Sequence, residues 1–166
     1  MKKEFCWQLG FCENLHEIPG EMFPAAVPGA VQLDWARCKD LPPYWKGVNF
    51  RDYKWMEDKF WLYRTELSFD IRPQQRAWLC FEAIDYQYRI CIDGEILLDG
   101  EGMFTPIRLD VSRFSGGQHE LCVWIYPAPK ADDSDTRDQA RESCKAAACY
   151  GWDWPPRLVS LGIWGE

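Results

Sequence analysis

The sequence lacks the features that mark several large classes of protein. No apolar run is long enough to cross a membrane, and a net charge of −7 leaves no basic excess for phosphate backbones or anionic lipid surfaces. The N-terminus shows no apolar stretch followed by a small-residue cleavage pattern, as a secretory signal would. We therefore expect a cytoplasmic protein that binds neither nucleic acid nor membrane.

Metal-binding and nucleophilic motifs are also missing. The eight cysteines form no Cys-x-x-Cys pair, and the two histidines, His16 and His119, stand far apart, so we expect no metal and no cofactor. Cys80, Cys91 and Cys122 lie in strand-like runs, where a free cysteine behaves as a small buried hydrophobe. We favour reduced structural thiols over a disulfide or zinc protein. A Gly-x-Ser-x-Gly elbow is absent as well.

None of the 26 acidic residues sits in a setting that marks a catalytic pair. Four of them are predicted on or beside a solvated strand face: Glu57, Asp58, Glu66 and Asp70. The cluster at 132–138 reads as a solvated charge run, because surface acids are the common case. We therefore expect no catalytic residues in this chain.

The chain has 166 residues, a length typical of a single domain, and it is rich in strand-like segments. Strict alternation begins after residue 60 and predicts a strand with one buried face. The residues expected inside are Trp61, Tyr63, Thr65, Leu67 and Phe69. The run from Arg76 to Ile84 is more continuously apolar, which is typical of a central strand covered on both sides.

Turn signals separate further strands. Residues 86–92 alternate and run into Asp93-Gly94, which predicts a tight hairpin with the strand at 95–98. Residues 104–111 and 119–126 follow as strands. Short strands joined by turns, with no helix between them, indicate an all-β fold, an antiparallel β-sandwich of the jelly-roll or immunoglobulin kind.

The two ends of the chain differ from this strand-rich centre at 60–126. Residues 1–59 carry five of the eleven prolines and many aromatic residues, so we interpret them as a mostly irregular lead-in. Residues 127–149 are interpreted as an excursion, either a short helix or a mobile loop. Residues 150–166 form a tail.

The tail places a carboxylate among aromatic rings. Tyr150, Trp152 and Trp154 surround Asp153, between Gly151 and a pair of prolines. A carboxylate that accepts hydroxyl hydrogen bonds, beside an indole that covers a ring face, is what a sugar site needs. The same residues equally fit a tryptophan-rich corner that closes the core, with Asp153 capping a turn.

At this point the sequence resembles the N-terminal sugar-binding domain of glycoside hydrolase family 2, especially its β-mannosidase-like branch. The resemblance covers nearly the whole chain. Its motifs are Val27-Pro28-Gly29, Trp55 with Trp61-Leu62-Tyr63-Arg64, Phe81-Glu82-Ala83-Ile84-Asp85, Gly102-Met103-Phe104, Lys145 with Tyr150-Gly151-Trp152-Asp153-Trp154, and Gly162-Ile163-Trp164.

The resemblance implies a galactose-binding-domain-like jelly roll at 1–166, followed in the parent protein by an immunoglobulin-like domain and a TIM barrel. The barrel would supply the catalytic glutamates, one of them in an Asn-Glu pair that this chain does not contain. Trp152 and Asp153 would bind the substrate, a β-linked carbohydrate, through its hydroxyl groups. The alternative is a free-standing carbohydrate-binding module. The two hypotheses differ in whether the tail residue Trp152 lets the isolated chain bind a glycan.

Overall fold

The computed structural model describes residues 5–15, 17–130, 143–151 and 156–165. In chain order its strands are β1 (Trp7–Cys12), β2 (Phe23–Ala25), β3 (Phe60–Leu67), β4 (Trp78–Phe81), β5 (Ile84–Asp85), β6 (Gln87–Ile92), β7 (Glu95–Glu101), β8 (Ile107–Asp110), β9 (His119–Ile125) and β10 (Gly162–Ile163). The helix α1 spans Val31–Lys39, and 3₁₀ turns span Asn49–Asp58, Ser112–Phe114 and Ala147–Tyr150.

The strands form one large sheet and two small ones. The six-stranded sheet has the order β2-β1-β3-β9-β6-β7, while β4 pairs with β8 and β5 with β10. All of these pairings are antiparallel. The small sheets contribute Leu79, Phe81, Ile84 and Ile163 to the same core as the large sheet. The predicted all-β antiparallel sandwich is therefore confirmed.

The alternating pattern sets the register of the large sheet. Tyr63 pairs with Leu9 on one side and Val123 on the other, and Val123 pairs with Ile90. All four side chains are fully buried. A slip of one residue would turn the whole set toward solvent, so burial specifies this pairing. The strand predicted after residue 60 and the hairpin at Asp93-Gly94 are both confirmed.

The interpretation of residues 1–59 as a mostly irregular lead-in missed the regular elements within it. These residues contain β1, which lies inside the large sheet, and α1. The helix ends at Asp40, which takes the left-handed conformation (φ 51°) before Leu41-Pro42-Pro43 stops it. The prolines thus separate regular elements that are too short to show a periodicity in the sequence.

The aromatic residues of the same region pack against one another. The ring centroid of Phe11 lies 5.2 Å from that of Trp35, 5.0 Å from Trp55 and 5.4 Å from Trp61. The contacts with Trp35 and Trp55 are edge-to-face, the arrangement that aromatic quadrupoles favour. For these rings, burial between α1 and the large sheet accounts for the aromatic content.

The prediction of a central strand from Arg76 to Ile84 is wrong. The run is divided into β4 and β5, and β4 alternates, with Leu79 and Phe81 buried and Trp78 and Cys80 exposed. Trp78 is 43% exposed, and the Arg108 guanidinium lies over its ring, 4.2 Å from the centroid, in a cation–π contact. The apolar composition of residues 76–84 therefore did not reveal that β4 has one exposed face.

Candidate functional site

The two residues predicted to bind sugar, Trp152 and Asp153, lie outside the described residues, as does His16. The structure describes residues 143–151 before them and residues 156–165 after them. The structure therefore shows how the stretches on either side of the predicted sugar-binding residues are held. Three groups of contacts hold them against the sandwich.

The first group holds the end of the 3₁₀ turn before the predicted site. Tyr150 is 1% exposed, and its hydroxyl donates to the carbonyl oxygen of Pro129 at 2.6 Å. Burial raises the pKa of this hydroxyl, so it stays a donor at neutral pH. Gly151 follows with φ 88°, and a Cβ there would lie 3.1 Å from the Cβ of Arg157. Glycine therefore permits both the left-handed backbone and the close approach.

The second group is an ion pair buried on both sides. The Lys145 side chain is fully buried, and its Nζ donates to Asp85 Oδ1 at 2.5 Å and to the carbonyl oxygen of Ser160 at 2.6 Å. The Ser160 hydroxyl donates to the other oxygen of Asp85 at 2.9 Å. One charge pair thus joins β5 to residues on both sides of the predicted sugar-binding segment.

The third group centres on Glu57. Arg157 donates to both oxygens of this carboxylate, at 2.5 and 2.7 Å, in the bidentate geometry that gives strong and directional pairs. Lys130 lies 2.9 Å from Glu57 and also contacts Asp58. Although burial opposes the charge on Lys130, the carboxylates of Asp58 and Glu57 raise its pKa.

The prediction that Glu57 lies on a solvated face is wrong, since its side chain is 2% exposed. Asp58 is exposed, at 54%, as predicted. Glu57 lies in the last turn of the 3₁₀ segment Asn49–Asp58 and not on a strand, and strand periodicity gave no indication of its burial. Asp85 was missed as well, although an acid directly after the apolar pair Ala83-Ile84 was a usable signal.

The buried acids of the described chain are Asp34, Glu57 and Asp85, and each already has partners. Asp34 accepts hydrogen bonds from the Ala26 amide and lies 3.0 Å from Arg37, and burial raises its pKa. In the part of the chain that the structure describes, no group of three or more His, Cys, Asp or Glu is placed to hold a metal ion. These carboxylates are built to hold loops, and none is a free general acid or base.

His119 makes a structural contact with an acidic residue. Its Nδ1 lies 2.6 Å from Asp93 Oδ2, at the β6–β7 hairpin. The hydrogen bond to Asp93 raises the pKa of His119 and lowers that of Asp93. Since no nucleophile adjoins the pair among its recorded contacts, it stabilises the hairpin.

The eight cysteines all lie within the described residues and are free. Cys91 is buried as predicted and Cys122 is half-buried, but Cys80 is exposed, so that part of the prediction is wrong. Burial raises the pKa of Cys122 to about 12, which keeps the thiol protonated and unreactive at neutral pH.

Two open clefts lie elsewhere on the surface. One of about 620 Å³ is lined by Arg76, Asp110 and their neighbours, and one of about 310 Å³ by Tyr126 and residues of β6 and β7. Neither includes a residue from the stretches around the predicted sugar-binding segment. The described residues thus provide anchors for that segment, and neither of these two clefts adjoins the anchors.

Comparison with known proteins assigns this arrangement to a family. A family model described as "Glycosyl hydrolase 2 galactose-binding domain-like" matches residues 7–165. "Beta-mannosidase B" of Aspergillus clavatus is 30% identical over 157 residues, which cover 84% of this chain and 18% of that protein. Its counterpart in Aspergillus flavus is 31% identical, covering 94% and 20%.

Solved structures agree with this assignment. The β-D-mannosidase of Dictyoglomus thermophilum superposes with a TM-score of 0.76 at 25% identity, over 95% of this chain and 21% of that one. A β-glucuronidase from an uncultured Clostridium sp. shares the fold, with a TM-score of 0.52 at 16% identity over 75% of this chain and 22% of that one. The chain therefore spans about a fifth of the length of the relatives that it matches. Among the described residues, no helix is long and apolar enough to cross a bilayer.

Proposed function

The chain belongs to the glycosyl hydrolase 2 family as its galactose-binding-like domain, and on that premise we propose that it is the non-catalytic sugar-binding part of a retaining, β-mannosidase-like exo-glycosidase. Two findings support this proposal. Every buried acid of the described chain has partners, and the relatives are about five times longer than the chain. The catalytic pair of glutamates would come from a TIM barrel that follows an immunoglobulin-like domain.

Within this function, Trp152 and Asp153 recognise the non-reducing sugar. The observation that carries the assignment is the pair of buried ion clusters, Lys145–Asp85 and Glu57–Arg157, which hold the chain just before and just after these residues. A recognition residue acts well only when its support is rigid. The carboxylate of Asp153 would accept sugar hydroxyl bonds, and the Trp152 indole would cover an apolar ring face.

A reducing, cytoplasmic location also belongs to the proposal. All eight cysteines are free, and six of them lie half-buried or exposed, at positions 6, 38, 80, 122, 144 and 149. Thiols in these positions persist where glutathione and thioredoxin keep them reduced. Titration with Ellman's reagent, on protein purified without reductant, should find all eight thiols.

The test of the proposed function is hydrolysis of aryl β-mannosides, with β-galactosides and β-glucuronides for comparison. The complete reading frame should cleave the mannoside, and residues 1–166 alone should not. Replacing Asp153 by Asn in the full enzyme removes charge-assisted bonds to the sugar, so kcat/KM should fall about 10- to 100-fold. Trp152→Ala should act in the same direction.

Matched controls are available in the described chain. Asp52→Asn and Trp45→Ala change the same residue types at exposed positions and should leave kcat/KM unchanged. Hydrolysis by residues 1–166 that survives repurification would contradict the non-catalytic assignment. If calorimetry showed a glycan binding to residues 1–166 and Trp152→Ala abolished it, the free-standing binding module would be the better account.

A further inference from the structure

Two aromatic side chains on one part of the surface are left uncovered. Phe104 is 68% exposed and Trp164 is 40% exposed. Their ring centroids lie 5.3 Å apart with the planes at 74°. Phe104 lies in the loop between β7 and β8, and Trp164 directly follows β10, so tertiary packing brings them together.

The backbone on which these rings stand is fixed by the core. The residue before each ring is buried, with Met103 at 7% and Ile163 at 0% exposure. The sulfur of Met103 also accepts a contact from the Ala146 amide at 3.2 Å, next to the buried Lys145. The rings therefore project from a rigid base, and burying them would add apolar area at little cost in backbone entropy.

Trp164 also directly follows β10, the last strand of the described residues. The Gly165 amide donates to the Ala83 carbonyl oxygen at 3.3 Å, so the chain is still held along β5 one residue later. Each following residue advances the chain by at most about 3.6 Å. In a longer parent enzyme, the first few residues after this domain therefore pass close to both rings.

We propose that Phe104 and Trp164 form the docking surface for the polypeptide that follows this domain, and that apolar side chains of that polypeptide cover them. The inference rests on the proposed function, because it needs a longer parent chain. Exposed aromatic side chains on a rigid base are typical anchors of protein interfaces. Because the two ring planes meet at 74°, the rings do not form one continuous flat face on which a sugar ring would stack. Apolar side chains can pack against both rings at this angle.

Hydroxyl-radical footprinting with mass spectrometry tests the proposal directly, because it measures the solvent accessibility of single aromatic side chains. We would compare residues 1–166 with the complete reading frame. Burial in an interface core should lower the oxidation rates of Phe104 and Trp164 about threefold or more in the longer protein. Trp45, which is 66% exposed, is the matched control and should react equally in both.

A variant adds an independent measurement. In the complete protein, Phe104→Ser should raise the oxidation rate of Trp164 toward its value in residues 1–166, whereas Trp45→Ser should not. Unchanged rates for Phe104 and Trp164 between the two proteins would overturn the proposal. Protection of both rings in residues 1–166 by added mannose would also overturn it, in favour of a sugar platform.

The same samples separate this inference from the proposed function. Mannoside hydrolysis together with unprotected rings would leave the proposed function intact and refute the docking surface. Protected rings in a full-length protein that cleaves no β-mannoside would support the docking surface and refute the enzyme assignment. A reading frame that stops at Glu166 would refute both.

Discussion

Replacing Lys145 by methionine removes one partner of a buried ion pair while keeping the length of the side chain. Among the contacts of the described residues, the carboxylate of Asp85, 2% exposed, would then retain only the Ser160 hydroxyl, at 2.9 Å. Breaking a buried pair on one side costs about 3–5 kcal/mol, because the remaining charge is left without compensation. For a domain of this size, that loss lowers the melting temperature by roughly 6–20 °C.

Chemical unfolding, followed by tryptophan fluorescence in guanidinium chloride, measures this loss. The control is Lys59→Met, which removes an ion pair with Glu13 at the surface, where the loss should be about 0–1 kcal/mol. The double variant Lys145→Met with Asp85→Asn should recover part of the lost stability, since the unpaired charge is gone. The reasoning is refuted if Lys145→Met costs no more than the control, or if the two single losses simply add.

Three further predictions concern the core, the hairpin and the tail. Trp61→Ala should lower the free energy of unfolding by about 3–5 kcal/mol, since Trp61 is fully buried, whereas Trp45→Ala should change it by less than about 0.5 kcal/mol. Because their hydrogen bond raises the pKa of His119 and lowers that of Asp93, this pair stabilises the fold between those two pKa values. The effect is lost as pH rises through the pKa of His119 or falls through that of Asp93, and NMR titration should show the pKa of His119 falling in Asp93→Asn. Gly162→Ala should cost about 1–3 kcal/mol by thermal melting, because Gly162 has φ 149° and a Cβ there would lie 2.7 Å from the Gly29 carbonyl oxygen.

Each of these predictions has a result that would contradict it. Gly20→Ala is the control for the tail, since a Cβ there meets nothing within 4 Å, and equal losses at Gly20 and Gly162 would refute the close-approach argument. An unchanged titration of His119 in Asp93→Asn would show that their contact is not made in solution. Equal losses for the two tryptophan variants would mean that the aromatic cluster is not part of the core.

The strands at the centre of the chain were predictable because their burial is one-sided. Alternation after residue 60 marks β3, and Asp93-Gly94 marks the hairpin, since both signals act over a few residues. The prediction of a strand covered on both sides failed for the run from Arg76 to Ile84, because apolar composition does not show which face of a strand is exposed to water. There, Arg108 covers Trp78 from a neighbouring strand, a contact that no pattern within β4 contains.

The sequence by itself determined the all-β class, the tight hairpin and, through its tail motif, the family. These depend on local periodicity, on turn chemistry and on which residue types are present. Only the tertiary structure decided that Glu57 and Asp85 are buried, because their partners Arg157 and Lys145 lie 100 and 60 residues away along the chain. A buried charge is stable only when a partner of opposite charge packs against it in the folded chain. Here Lys145 and Arg157 are those partners, and they lie on either side of the proposed sugar-recognition residues.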